Sequence, residues 1–200
     1  MIALPERLLS LRVNVELPDA PLSNLIGPCE ILAQVGVNVW TLPAHGATEL
    51  AEIRQVFSSR AVLGLSDVTA ETLESAIEQH PAFVITRVEM SASALQKLNA
   101  DEIPVIQPGF TPTELVALAA TSSGVAVWPA QALRADYAAA LKPLLPTTPI
   151  IARGDFLAEA AVPWLKNGCD AVSVGSRFTS AGFGGKPGEL RKAARALLIS

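Results

Sequence analysis

Three arginines of this 200-residue chain follow predicted β-strands. Arg87 comes after the fourth strand, Arg153 after the seventh and Arg177 after the eighth. A guanidinium keeps its positive charge at any ordinary pH and binds a carboxylate or a phosphate through two parallel hydrogen bonds. Because the carboxyl ends of parallel strands meet at one edge of a sheet, the three arginines predict a binding site for a small anion there.

The loops after the last two predicted strands, ARGDF (152–156) and VGSRF (174–178), supply glycines to the same site. In small barrels, loops at this place often hold a phosphate, because glycine lets backbone amides approach the ligand. The predicted anion site comprises Arg87, Thr111, Trp128, Arg153, Gly154, Gly175, Ser176 and Arg177. The alternative is that Asp155 forms a surface ion pair with Arg153 or Arg177 and only holds two loops together.

Three side chains at strand ends or in the following loops are candidates for proton transfer, namely Glu16, Asp67 and His45. Carboxylate and imidazole groups are the usual general bases of enzymes. A simpler explanation stays open for each. Glu16 is then a charge at a strand end, Asp67 a turn or helix-cap residue, and His45 a solvated loop histidine. The sequence therefore leaves the catalytic residues unassigned.

The five lysines are poorly placed to attack a carbonyl group, which requires a neutral amine inside the protein. Four of them fall in predicted helices or at helix ends: Lys97, Lys142, Lys166 and Lys192. Lys186 lies in a predicted loop, and its neighbours Gly185 and Pro187 indicate exposure to solvent. The lysines thus give little support to Schiff-base chemistry.

Short apolar strands alternate with helices along the whole chain, and segment 104–114, PVIQPGFTPTE, is a clear example. Pro108 and Gly109 are predicted to end its strand, because proline lacks an amide donor and glycine adopts backbone angles that other residues avoid. Thr111 and Glu114 then have the spacing of a capping box at the start of a helix. One strand, one loop and one helix start are packed into this segment.

About eight such units predict a single (β/α)₈ barrel of the TIM type over residues 1–200. The predicted strands span 11–17, 37–42, 61–65, 82–86, 103–107, 124–128, 149–152 and 171–174. Residues 133–141 are predicted to be helical, Thr69 to cap the third helix, and 176–187 to form a loop over the barrel mouth. A doubly wound open sheet is the alternative, but the first strand lacks the glycine-rich turn that such sheets usually carry.

Composition narrows the class of partner. The formal net charge is -4 and the sequence pI is about 5.2, which argues against a nucleic-acid or anionic-membrane partner. No apolar run is long enough to span a bilayer, and no signal-peptide core precedes Glu6. Cys29 and Cys169 are too few for a disulfide framework or a metal site. We therefore expect a cytoplasmic protein without metal or cofactor that binds a small anionic metabolite.

The segments PGFTPTE (108–114) and WPA (128–130) resemble the 2-keto-3-deoxy-6-phosphogluconate (KDPG) and 4-hydroxy-2-oxoglutarate (KHG) aldolases. The resemblance extends over about residues 61–178 and implies a class I aldolase barrel, a carbon–carbon lyase family and a homotrimer. Gly154, Gly175 and Ser176 match the glycine-containing dipeptides that follow the seventh and eighth strands of the family. Arg153 replaces one of the family's glycines. The family's Schiff-base lysine falls on Ala126, and its general-base glutamate falls near Val39.

Three hypotheses follow. The chain is a diverged barrel of this family that binds a small oxo-acid or a phosphorylated anion without ordinary aldol cleavage. Alternatively, it is a lyase or isomerase of different mechanism that uses Glu16, Asp67 or His45. As a third possibility, it is a pseudoenzyme with a structural or regulatory role. The sequence leaves open whether the protein is an enzyme.

Overall fold

Eight parallel strands close into a barrel in the computed structural model, which describes residues 2–183 and 186–198. The strands are β1 (Val13–Glu16), β2 (Val39–Pro43), β3 (Val62–Val68), β4 (Val84–Thr86), β5 (Val105–Gly109), β6 (Gly124–Val127), β7 (Ile150–Gly154) and β8 (Ala171–Val174). Each strand pairs with the next along the chain, and β1 closes the barrel by pairing Val13 with Val172 of β8. The predicted (β/α)₈ barrel is confirmed.

Helices surround the barrel, the first of them at its amino-terminal end and the others on its outside. They are α1 (Glu6–Leu11), α2 (Leu22–Val35), α3 (Ala47–Phe57), α4 (Leu73–Glu78), α5 (Ala92–Ala100), α6 (Pro112–Ala119), α7 (Tyr137–Leu141), α8 (Ala158–Lys166), α9 (Ser176–Phe183) and α10 (Pro187–Leu197). Gly36 ends α2 in the left-handed conformation (φ 96°), as glycine commonly does after a helix.

The apolar residues form two layers because successive side chains of a strand point to opposite faces of the sheet. The outer layer packs the strands against the helices. The inner layer fills the barrel and comprises Leu4, Leu8, Val39, Phe83, Ile85, Ile106, Ala126, Ile151 and Ala171. Leu8 belongs to α1, so this helix closes the amino-terminal end of the barrel. The opposite end carries polar side chains.

Several predicted boundaries were wrong. Strand β3 runs to Val68 instead of ending at residue 65, and at β5 backbone pairing outweighed local preference. Strand β5 continues through Pro108 and Gly109, where Pro108 lies opposite Ala126 and the Gly109 carbonyl accepts a hydrogen bond from the Trp128 amide (3.0 Å). Because Pro108 has no amide hydrogen, one hydrogen bond of the strand pair is missing, but the pairing of β5 with β6 continues. Helix α4 begins at Leu73, so Thr69 lies before the helix and accepts no cap bond from it.

Two segments between the late strands also differ from the predictions. Residues 133–141 are helical only from Tyr137, because Leu133 is extended (φ -118°, ψ 165°) after a short 3₁₀ turn over Ala130–Ala132. The predicted loop at 176–187 begins with helix α9, whose first turn is capped by Asp155. Residues 184–185 of that loop lie outside the described residues. Within the described ranges, no helix is both long and apolar enough to cross a bilayer.

Candidate functional site

Arg153 lies at the centre of the barrel mouth, near the end of β7, and only 4% of its side chain is exposed. Its Nε donates to Glu16 Oε1 and its Nη2 to Glu16 Oε2, both at 2.8 Å. Nη2 also donates to Asp67 Oδ1 at 2.9 Å. The guanidinium therefore joins the ends of β7, β1 and β3. We call Arg153, Glu16 and Asp67 the ion cluster.

A layer of buried polar side chains supports the ion cluster. Ser173 Oγ donates to Glu16 Oε1 at 2.7 Å, and Asn14 Nδ2 donates to Ser173 Oγ at 2.8 Å. Asn14 also donates to Thr41 Oγ1 at 3.1 Å. Sequence reasoning missed Asn14 and Ser173. The signal was available, since each is a polar residue at an inward position of an otherwise apolar strand.

The ion cluster keeps Arg153 charged. Burial alone lowers the pKa of Arg153, but the hydrogen bonds and charges of Glu16 and Asp67 together raise it above the ordinary arginine value. Asp67 has a left-handed backbone (φ 56°), which carries its carboxylate back over the barrel mouth. With both carboxylates ionised, the cluster carries one excess negative charge.

Two hydrogen-bond donors of the guanidinium remain unused. Arginine has five N–H groups, and the contacts with Glu16 and Asp67 use three of them. Nη1 is buried and has no partner among the described residues. The indole ring of Trp128, 41% exposed, lies 5.9 Å from Cζ of Arg153. A buried donor without a partner is costly, so an oxygen acceptor that reached Nη1 past Trp128 would be bound favourably.

The loops after β7 and β8 are joined by internal hydrogen bonds. Asp155 Oδ1 accepts from Ser176 Oγ at 3.0 Å and from the Arg177 amide. The Gly175 amide donates to the Gly154 carbonyl at 3.1 Å. Asp155 thus contacts the backbone of Arg177 instead of an arginine side chain. Its carboxylate lies at the amino-terminal end of α9, where a bound anion would otherwise interact with the helix.

Packing explains the glycine at position 154. A Cβ atom added there would lie 2.5 Å from Gln131 Oε1 and 3.0 Å from the ring of Phe156. At Gly175 the nearest atom to an added Cβ is the Gly154 carbonyl, at 3.5 Å, which is ordinary contact. A side chain at position 154 would therefore displace the Gln131 amide, whose Oε1 accepts from the Asp155 amide at 3.2 Å, and would crowd the Phe156 ring.

The three arginines of the predicted anion site do not meet. Arg87 and Trp128 line a cleft of about 510 Å³ beside the mouth, whereas Arg177 lines another of about 600 Å³ next to α8. Thr111 caps α6, where its hydroxyl accepts from the Glu114 amide at 3.3 Å. Of the predicted site residues, Arg153 and Trp128 lie together at the mouth. Anion binding by this set stays a prediction.

Other candidates for chemistry lie apart from the ion cluster. His45 Nε2 is 3.0 Å from Asp19 Oδ2, and both side chains are exposed. All five lysines lie in helices or at helix ends outside the barrel, including Lys186, which precedes α10. Ala126 is fully buried in the inner apolar layer. The barrel interior therefore offers no lysine among the described residues.

No family model matches the chain, and no curated protein matches it in sequence. Solved structures do match. The 2-keto-3-deoxy-6-phosphogluconate aldolase of Zymomonas mobilis has a TM-score of 0.81 at 14% identity, covering 98% of this chain and 97% of that one. The Legionella pneumophila KDPG aldolase, with pyruvate captured as a covalent carbinolamine, has a TM-score of 0.79 at 15% identity. The match covers 96% of this chain and 97% of that one.

A cube-shaped protein cage, designed by fusing symmetric oligomeric domains, also matches, with a TM-score of 0.80 at 19% identity. The match covers 94% of this chain and 70% of the cage chain. Identities of this size show a shared fold. The chain therefore has the barrel fold of the KDPG aldolases, as the resemblance of its PGFTPTE and WPA segments predicts.

Proposed function

We propose that this chain is a diverged member of the KDPG/KHG aldolase family that binds a small oxo-acid at the barrel mouth and does not cleave it through a Schiff base. The observation that carries the proposal is Arg153 Nη1, a buried donor beside Trp128 that has no partner in the described part of the chain. Glu16 and Asp67 hold the guanidinium in one orientation. A preorganised donor of this kind binds an oxygen of the ligand with little loss of side-chain entropy.

The charges disfavour a ligand with more than one anionic group. The ion cluster already has one excess negative charge, and the ligand's carboxylate adds another. The loops that could hold a phosphate are engaged by Asp155, which accepts from Ser176 and from the Arg177 amide. These contacts support an unphosphorylated ligand over a phosphorylated one.

Covalent trapping tests the mechanism. We expect no mass increase when the protein is incubated with pyruvate and borohydride and weighed intact, because Ala126 stands at the family's lysine position and the five lysines lie outside the barrel. An active KDPG aldolase treated in parallel provides the positive control. An adduct mapped to any lysine would restore class I chemistry and overturn this part of the proposal.

Calorimetric titration with pyruvate and longer 2-oxo-acids tests binding. We expect saturable binding that weakens about tenfold or more in Arg153→Lys, because an ammonium cannot contact Glu16, Asp67 and the ligand in the guanidinium geometry. Arg134→Lys is the matched control, since Arg134 only pairs with Asp136 on the surface. Circular dichroism would confirm that both variants fold. Absence of binding to the wild-type protein would favour a structural or regulatory role.

A second candidate function is proton transfer next to the carbonyl group, as in a lyase or isomerase. Asp67 favours it, because Oδ2 has no partner within the described residues and the side chain is 35% exposed. A carboxylate in this position can accept a proton from the carbon beside the carbonyl. NMR in heavy water would detect exchange of the C3 protons of a bound oxo-acid, and Asp67→Asn would abolish it.

The proposed assembly follows from the resemblance alone. The KDPG/KHG family forms trimers, so we propose a homotrimer, to be checked by light scattering.

A further inference from the structure

The cleft beside the barrel mouth shares a wall with the ion cluster. Trp128 lines the cleft and also lies 5.9 Å from the Arg153 guanidinium. A volume of about 510 Å³ suits the side chain of a small molecule whose polar end reaches Arg153. Trp128 therefore stands between the cleft and the proposed oxo-acid site, and a ligand that occupies both lies across its indole ring.

Apolar side chains dominate the walls of this cleft. Val88 is 59% exposed and Phe110 40% exposed, and together with Trp128 they form an apolar surface open to solvent. Pro108 and Leu118 complete the walls from β5 and α6. Adjacent exposed apolar groups of this kind are a common property of binding sites.

The charges around the cleft disfavour a second anionic group on the ligand. Arg87 is the one cationic residue in its described lining, which also contains Glu89 and Glu114. Glu114 is occupied, since its Oε2 accepts from the Phe110 amide at 3.0 Å and from the Thr111 amide at 2.8 Å. The lining thus offers apolar contact and no excess of positive charge.

We propose that this cleft binds the side chain of the oxo-acid and that the side chain is apolar, either aromatic or branched aliphatic. The inference rests on the proposed function, because it places the polar end of the same ligand at Arg153. The proposed substrates are therefore monoanionic 2-oxo-acids with an apolar substituent. Sugar acids and dicarboxylates do not belong to this class.

Calorimetric titration with phenylpyruvate, pyruvate and 2-oxoglutarate tests this assignment. We expect phenylpyruvate to bind the wild-type protein at least about tenfold tighter than pyruvate, because its ring buries apolar surface against Phe110 and Trp128. 2-Oxoglutarate should bind no tighter than pyruvate. Phe110→Ser should remove the preference for phenylpyruvate and leave the affinity for pyruvate unchanged.

Val116→Ser is the matched control, because Val116 is 45% exposed on α6 and does not line the cleft. It should keep the preference. Equal affinities for phenylpyruvate and pyruvate in the wild-type protein would overturn the substrate class and leave the proposed function intact. Failure of all three ligands to bind would overturn both. If Phe110→Ser dissociated an oligomer without changing ligand affinity, the cleft would be a contact between copies of the chain, and the proposal would fail.

Discussion

Arg153 is a buried charge whose surroundings determine both its ionisation and its orientation. Removing a guanidinium from water is expensive, and the cost is recovered only when well-oriented acceptors surround it. Glu16 provides two of these acceptors and Asp67 a third, all within 2.9 Å. The ion cluster therefore couples stability to the proposed binding function, since the same contacts that keep Arg153 charged also fix Nη1.

Glu16→Ala should strongly destabilise the protein, because it leaves the buried guanidinium with Asp67 as its one anionic partner. We expect the free energy of unfolding to fall by about 3 kcal/mol. The matched control is Glu30→Ala, which breaks an exposed pair with Arg60 and should cost less than about 1 kcal/mol. Urea unfolding followed by circular dichroism measures both. Similar losses in the two variants would contradict the structural role assigned to Glu16.

The sequence identified the members of the ion cluster separately, without predicting that they meet. Glu16, Asp67 and Arg153 were each candidates because they follow or end a strand. The alternative to the anion site paired Asp155 with Arg153 or Arg177. The true partners are 137 and 86 residues away, and their contact depends on barrel closure and on the left-handed backbone of Asp67. None of this can be derived from local pattern.

At the scale of single elements, α6 was predicted well and α9 was not. Thr111 and Glu114 form a complete capping box, as the spacing T-P-T-E predicts, because all its hydrogen bonds are local. The start of α9 depends on Asp155, which comes from the preceding loop and lies 21 residues before Ser176. Local sequence therefore defines one helix start and tertiary contact defines the other.

The capping box makes α6 sensitive to acid. Hydrogen bonds from the Thr111 and Phe110 amides hold the pKa of Glu114 below its ordinary value of 4.5. A lowered pKa in the folded state means that the carboxylate stabilises the fold above pH 4.5 and loses this effect as the pH falls further. Glu114→Gln should therefore be less stable than the wild type at pH 7, and the difference should shrink towards pH 3.

Urea denaturation at the two pH values would measure this change. Glu159→Gln is a suitable control, because Glu159 lies in the first turn of α8 outside any capping box. A difference between wild type and Glu114→Gln that stayed constant with pH would show that the carboxylate charge plays no part in the cap.

At the scale of the whole molecule, the alternation of strands and helices was sufficient to predict the barrel. Doubly covered apolar strands such as Gly124–Val127 appear as continuous hydrophobic runs, and about eight units leave few other arrangements. The polar residues inside the barrel were harder to predict, because Asn14 and Ser173 each stand alone within an otherwise apolar strand. The fold was therefore predictable, whereas the polar end of the barrel was visible only as isolated residues.

Both cysteines should report on opening of the barrel as a whole. Cys29 and Cys169 are buried, and burial raises the pKa of each thiol to about 12. At pH 8 only about one thiol in 10,000 is then ionised, and the thiolate is the reactive form. We expect neither cysteine to react with a disulfide reagent in the native protein and both to react in urea. Rapid loss of one native thiol would reveal local opening near that residue.

Glu16 of β1 accepts a hydrogen bond from Ser173 of β8, and these are the two strands whose pairing closes the barrel. Ser173, its partner in β8, is made 157 residues later than Glu16. During synthesis on a ribosome, a nascent chain that lacks β8 leaves Glu16 without this donor and leaves the barrel open. The proposed site is therefore assembled only when nearly the whole chain has emerged, so that incomplete chains neither hold Arg153 in place nor compete for its ligand.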